Sequence, residues 1–495
     1  MKNSAKKNGK FFKVLTAVIL TAVLAAVLTV YQKCGRTINK NSYAKGTNMN
    51  NIVDFGAVGD GVTDNTAAIQ KAIDAGGVVY VPTGVFVTGT IYLRSNGGLE
   101  LAPGAVLLGS PDKTKYNAPD FCPQNAPSVS EKASGAHLIV ALEVENVVIR
   151  GEGTIDGNRP AFFDPEKGTR KEFTGWRPSQ MLYFCESKDI RISGVTLKNS
   201  PYWACFLHGC RDVTIHGIRV SNLPSTAWNG DGIDIDCCAN VTVSDCIIRS
   251  ADDVIAVRAA GTKRLKDAPG ICENIVITNC VLMGGHCGVR FGVGEGLIRN
   301  CAVSNLVISE TRFGLGVHSS YLADINKSKG CQVENITFDN IVMNTGLPIY
   351  VSATCGRGVQ EKSARQIKNI SFSNIRGRGY WNVLLEGNLD KNISDVQFSN
   401  ITLEITDDDQ YWETIKPEER PFWLKGFRRP CAIYAGNVKD FRFRNVTVRW
   451  DREADFREAA LMLKDCEEMD FADCRFAAPR CGVAVKNDNG GANFR

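Results

Sequence analysis

A short segment that recurs down the chain limits what this sequence can fold into. A turn-type pair, usually ending in Asn or Asp, precedes a brief alternating strand. It reads Glu145-Asn-Val-Val-Ile, Arg211-Asp-Val-Thr-Ile, Ala239-Asn-Val-Thr-Val, Glu273-Asn-Ile-Val-Ile, Glu334-Asn-Ile-Thr-Phe, Lys368-Asn-Ile-Ser-Phe and Lys439-Asp-Phe-Arg-Phe, with weaker copies at Lys188, Arg299, Lys391 and Glu467. The copies recur about every 32 residues, a period that signals a solenoid. Strands of three to five residues bounded by turn residues make the repeats β rather than α. One coil cannot bury its apolar face alone, so coils must stack, roughly 4.8 Å apart, around a shared core. The expected fold is therefore all-β: a right-handed single-stranded parallel β-helix over residues 50–495.

Two flanking features complete the expected organisation. Thr63 to Asp74 reads as a short helix that caps the solenoid's open end. Thr63 or Asp64 is its N-cap, and Ala67, Ala68, Ile69, Ala72 and Ile73 form its apolar stripe. Ahead of it, residues 1–30 read as a targeting segment. Five lysines precede an uncharged run from Val14 to Val30, long enough either for a signal peptide or for an uncleaved anchor. Both options place the body outside the cytoplasm or at the cell surface, with membrane anchoring through residues 14–30 in the second. Residues 31–49 are a linker. Longer insertions at 111–135, 158–180, 261–271 and 405–430 read as loops rimming one face.

The charge of +5 misleads, because residues 1–40 hold eight Lys or Arg and no acid. The remainder carries 50 basic against 53 acidic residues, which argues against nucleic acid as a partner. The 18 cysteines often sit in apolar strand-like stretches, as at Cys246, Cys280 and Cys301. They are expected to be mostly reduced core residues, although Cys205 with Cys210 is a possible pair. With no Cys-x-x-Cys and five scattered histidines, neither a metal nor a cofactor is expected. Six sequons, at Asn240, Asn335, Asn369, Asn392, Asn400 and Asn445, are read as structural turn asparagines rather than glycan acceptors.

Three patches fall at coil spacing: Asn229-Gly-Asp231-Gly-Ile-Asp234, Ala251-Asp252-Asp253-Val254 and Gly285-His286-Cys287-Gly288. Stacking would gather several carboxylates and one imidazole. Crowded carboxylates cannot all ionise at one pH, so a protonated acid arises beside an ionised base, the pairing that glycosidic cleavage uses.

With these patches, the chain is similar to glycoside hydrolase family 28, the polygalacturonases and their pectin-cleaving relatives. The resemblance rests on Val53-Asp-Phe-Gly-Ala-Val-Gly-Asp-Gly-Val-Thr-Asp-Asn-Thr, Asn199-Ser-Pro-Tyr-Trp203, Gly232-Ile-Asp234, the Asp pair and the Gly-His element. It implies an inverting hydrolase of a pectic-type polysaccharide or oligosaccharide, expected as a monomer. Asp252 would be the general acid, Asp231 and Asp253 would activate water, and His286 would hold the acid's protonation state or touch substrate. Asn229 would position a sugar or the Asp231 carboxylate, and Trp228 would stack on a sugar ring. The family's Arg-x-Lys pair, which grips a galacturonate carboxylate, aligns with Gly316 and His318, so simple polygalacturonan is in doubt. Arg258 and Arg290 are candidate substitutes, and His318 a candidate contact to a sugar hydroxyl. Two alternatives remain: a calcium-dependent polysaccharide lyase, and an inactive β-helix glycan-binding protein.

Overall fold

A computed structural model describes residues 49–128, 131–163, 175–222, 229–260, 264–266, 270–319, 330–353, 365–406, 427–451, 456–488 and 493–494. Residues 1–30, read above as a targeting segment, and nearly all of the linker lie outside these residues, as do Trp228 and parts of all four insertions. Among the described residues no helix is long and apolar enough to cross a membrane.

Asn50–Arg495 forms one compact unit of stacked coils. A coil contributes short strands such as Cys205–His208, Arg211–His216 and Arg219–Ser221. The next coil lays Ile233–Asp236, Ala239–Ser244 and Ile247–Arg249 beside them, all in parallel register. This is the expected parallel β-helix. Period-two alternation decides which side chains enter the core: in Arg211–His216 only Val213 and Ile215 are buried.

The corners explain the asparagines. Asp212, Asn240, Asn274, Asn300, Asn335 and Asn369 hold φ between 53° and 58°, the left-handed region that Asn and Asp tolerate best. Their amides form ladders along the solenoid. Asn274 Nδ2 donates to Asn240 Oδ1 at 2.9 Å, Asn369 to Asn335 at 2.7 Å, and Asn445 to Asn400 at 3.0 Å. Asn392 departs from the pattern: it accepts from Asn388 N at 3.1 Å and donates to Arg365 O at 2.9 Å.

Inside, identical residues one coil apart pack face to face. Phe338 and Phe372 stack at 4.8 Å, and Phe372 and Phe398 at 4.9 Å. Deleting the middle ring leaves a void between two fixed neighbours. Phe372→Ala should therefore destabilise the solenoid by about 3–5 kcal/mol, readable as a lowered denaturant midpoint. Cysteines follow the same stacking. Cys246, Cys280 and Cys301 are buried thiols, each donating to the carbonyl two residues earlier at 3.1–3.3 Å. Cys205 and Cys210 are buried free thiols, not a bridge.

The N-terminal helix starts later than expected, at Thr66, and ends at Asp74. Thr63 and Asp64 belong instead to the strand Asp60–Asp64. Asn65 takes the N-cap position, but its side chain is spent on the backbone of Val58 and Thr63. Ile69, Ala72 and Ile73 are buried against the first strands, whereas Ala67 is exposed.

Candidate active site

The register that stacks the coils also assembles the site. Cys205, Ile233, Ile255, Val289 and Leu315 form one inward row. Two residues earlier in each coil stand Trp203, Asp231, Asp253, Cys287 and Phe313. The row is tied by Ala204 N to Asp231 O at 2.9 Å, Gly232 N to Asp253 O at 2.9 Å and Val254 N to Cys287 O at 2.8 Å. One residue earlier again lie Gly230, Asp252, His286 and Arg312, joined by Ala251 N to Gly230 O and by His286 N to Asp252 O, both at 3.0 Å. Asp231, Asp252, Asp253 and His286 thus meet on adjacent coils. Gly285 makes the approach possible: its φ is +74°, and a Cβ there would fall 1.9 Å from Asp252 O.

Burial and charge give the carboxylates different characters. Asp253 is 1% exposed, and Asp231 4%. Asp252 is half-buried, and the His286 side chain is 25% exposed, so a ligand meets these two first. Burial works to raise the Asp253 carboxyl, but Arg290 and His286 outweigh it and hold it below the usual carboxylate range. Arg290 Nη2 pairs with Asp253 Oδ2, and His286 Nδ1 lies 3.5 Å from Oδ1. Burial and the neighbouring Asp253 charge push Asp252 up. Burial pushes Asp231 well up, reinforced by Asp234, Asp252 and Asp253. Asp234, also fully buried, is raised to about 7 despite its 3.2 Å bond from Arg258 Nη1.

The secondary candidates settle unevenly. The Asn229 side chain bonds to residues other than Asp231. Its Oδ1 accepts from Arg177 Nη2 at 3.0 Å, and its Nδ2 donates to Glu131 Oε1 at 3.4 Å. Arg290 faces outward as alternation implies, but it is 7% exposed and committed to Asp253, so in this structure it serves a carboxylate rather than a sugar. Arg258 lies over the Trp203 ring at 4.4 Å and lines a cavity of about 390 Å³ with Tyr183, Phe206, His208 and Asp236. His318 is 2% exposed and stacks on Tyr350 at 6.0 Å, which withdraws it from the expected hydroxyl contact.

Several residues escaped the sequence reading. Arg177, buried, donates to Pro201 O at 2.9 Å and lies over the Tyr202 ring at 4.8 Å. Burial depresses it to about 9. Glu131 accepts from the Tyr202 hydroxyl. Both come from non-periodic insertions and carry no spacing signal. Asp234, by contrast, was legible as the end of the first patch. Cys287, next to His286, is a buried thiol in a second apolar cluster with Phe313, Leu347, Tyr350 and Trp381.

The family model for Glycosyl hydrolases family 28 matches residues 119–421, a span that includes the four clustered side chains. The chain belongs to glycoside hydrolase family 28. A probable polygalacturonase of Vitis vinifera is 32% identical over 262 residues, 50% of this chain and 52% of that relative. An exo-poly-alpha-D-galacturonosidase of Dickeya chrysanthemi is 30% identical over 364 residues, 59% of this chain and 57% of its own length. The chain thus spans little more than half the length of these two relatives. The solved family 28 exopolygalacturonase of Yersinia enterocolitica superposes with a TM-score of 0.65 at 19% identity, covering 85% of this chain and 77% of that one. The polygalacturonase of Erwinia carotovora superposes at 0.53 and 24% identity, covering 70% and 92%. Both share the β-helix.

Proposed function

We propose that this family 28 hydrolase cleaves a glycosidic bond in a pectic-type polysaccharide or oligosaccharide with inversion of configuration. Asp252 protonates the leaving oxygen, and Asp253 activates the attacking water. The observation that carries this reading is the opposite displacement of two adjacent carboxyls: Asp252 is raised and half-buried, while Asp253 is held low by Arg290 and His286. An acid protonated beside a base ionised is the state that acid–base cleavage needs before substrate arrives. Asp231 flanks the same water. Burial and the neighbouring carboxyls favour its protonated form, so it acts first as a hydrogen-bonding partner and shares the base role only when deprotonated. His286, 3.5 Å from Asp253 and next to Asp252, steadies the split. The pectic substrate class is supported by the polygalacturonase and galacturonosidase relatives. Export to the cell surface or beyond is supported by the basic, then uncharged, N-terminal sequence.

The lyase alternative would place a cation among Asp252, Asp253 and His286, whose donor atoms lie within 4.8 Å of one another. Arg290 already occupies the cationic place at Asp253, which favours the hydrolytic reading. The deciding measurement is NMR of the first product released from defined pectic oligosaccharides. The expected product is the inverted anomer, formed without added calcium. A retained anomer, or an unsaturated sugar that needs calcium, would reject the proposal.

A further inference from the structure

The sheet that carries the carboxyls has an end wall on its N-terminal side. Next to the inward row runs an outward one, in which Tyr92, Val140, Tyr183, Phe206 and Asp234 follow one another, one per coil. Phe121, in the segment 117–128, lies across that row. Its ring stands edge-on to Tyr92 at 6.1 Å and to Tyr183 at 6.2 Å, the two rings that flank Val140. Val140 itself is fully buried. The segment is tied down beside the row. Asn125 Oδ1 meets His137 Nε2 at 3.0 Å, Asn125 Nδ2 donates to Gly135 O at 2.7 Å, and Gln124 Nε2 donates to Glu143 Oε1 at 2.8 Å.

Between this wall and the catalytic carboxyls lies the cavity of about 390 Å³. Gln124 and Asn125 line its walled side, and Tyr183 and Phe206 its floor. Asp236 and Arg258 carry the lining onto the coils of Asp231 and Asp252. Two coil spacings, roughly 10 Å, separate Tyr183 from Asp234, which is room for one or two sugar rings. The volume suits a small ligand rather than a passing polymer. Aromatic faces beside a few polar groups match the two faces of a sugar.

We propose that this cavity is a closed terminal subsite: the enzyme seats the end of a glycan chain against the 117–128 wall and removes one or two units from it, rather than cutting interior bonds. The proposal rests on the hydrolytic reading of the same carboxyls for its cleavage step, but binding alone tests the closed end.

Heptagalacturonate digested by the unmutated protein should first give one plus six or two plus five units. Trimer with tetramer as the first product pair overturns the proposal and leaves the hydrolytic reading in place. Binding is read calorimetrically with Asp252→Asn protein. A closed end accepts one register per chain, so affinity per mole of chain should stay within about twofold from tri- to decagalacturonate, whereas an open groove gains a register with each added unit, roughly eightfold over that range. Oligomers altered at one end, by reduction of the reducing terminus or by an unsaturated unit at the opposite terminus, locate the seated end. One alteration should weaken binding roughly tenfold, through one or two lost hydrogen bonds, and the other should not. Phe121→Ala opens the wall towards Val140 and should lengthen the terminal fragment released; an unchanged fragment from a variant with unchanged circular dichroism overturns the wall. Affinity that climbs with length, indifference to both altered ends, or no binding at any length overturns the proposal. Length-independent, end-sensitive binding with no hydrolysis by the unmutated enzyme would keep the closed end and reject the hydrolytic reading.

Discussion

Asp252→Asn should abolish hydrolysis, lowering kcat by roughly 10²–10⁴-fold, the usual share of a general acid. The amide keeps the shape of the carboxyl but has no acidic proton to deliver. Loss of fold can be separated from loss of chemistry because the sign of the stability effect is fixed. Asp252 is raised by burial and by Asp253, so the folded chain favours its protonated form. A group raised in this way supports folding below its unfolded value and loses that support as pH rises. At neutral pH the neutral amide removes a penalty. The melting temperature should therefore stay the same or rise, with the β-sheet circular dichroism unchanged, while turnover disappears. Turnover within a few fold of the unmutated enzyme would remove Asp252 from the mechanism.

That Asp252 meets Asp253, Asp231 and His286 was legible from coil spacing, because a parallel register turns separation along the chain into adjacency in space. The register sets Ile233 opposite Ile255, so Asp231 and Asp252 lie about one coil apart, and the insertion between Asp253 and His286 leaves Ile255–Val257 paired with Val289–Phe291, with a register shift only between Val257 and Ala259. The turn asparagines were legible for the same reason. Depth was not. Alternation places Arg290 and His318 on the outer side of their strands, but whether such a side chain meets solvent depends on what lies over it. Tyr350, one coil on, covers Gly316 and His318, and Asp253 draws Arg290 inward. The Glu131–Arg177–Asn229 group was invisible because two of its members come from insertions whose path no repeat dictates. The helix began late because Asp60–Asp64 found a strand partner in Gly84–Thr88, a tertiary pairing that overrides local capping signals.

Arg290→Gln is expected to raise the acidic limb of the pH–activity profile and to destabilise the protein more at neutral than at acid pH. Asp253 is low because Arg290 and His286 together outweigh burial. Its ionised form supports folding above its unfolded value, and that support is lost as pH falls through its folded value. Removing the guanidinium leaves a 1%-exposed carboxylate without its principal counter-charge. Breaking a buried pair on one side costs about 3–5 kcal/mol, and the carboxyl escapes part of that penalty by taking up a proton. Its titration should therefore rise, carrying with it the pH below which the base is lost. Asp253 then joins Asp231, Asp234 and Asp252 among the raised carboxyls. For Asp234 the window is set by its ordinary 3.8 and its folded value of about 7, over which stability declines as pH climbs. The variant should consequently lose more melting temperature at pH 7 than near pH 4, and its kcat/KM should fall most on the acid side. An acidic limb that stays in place, with an equal loss of melting temperature at both pH values, would mean that Arg290 acts by packing and that something else keeps Asp253 ionised.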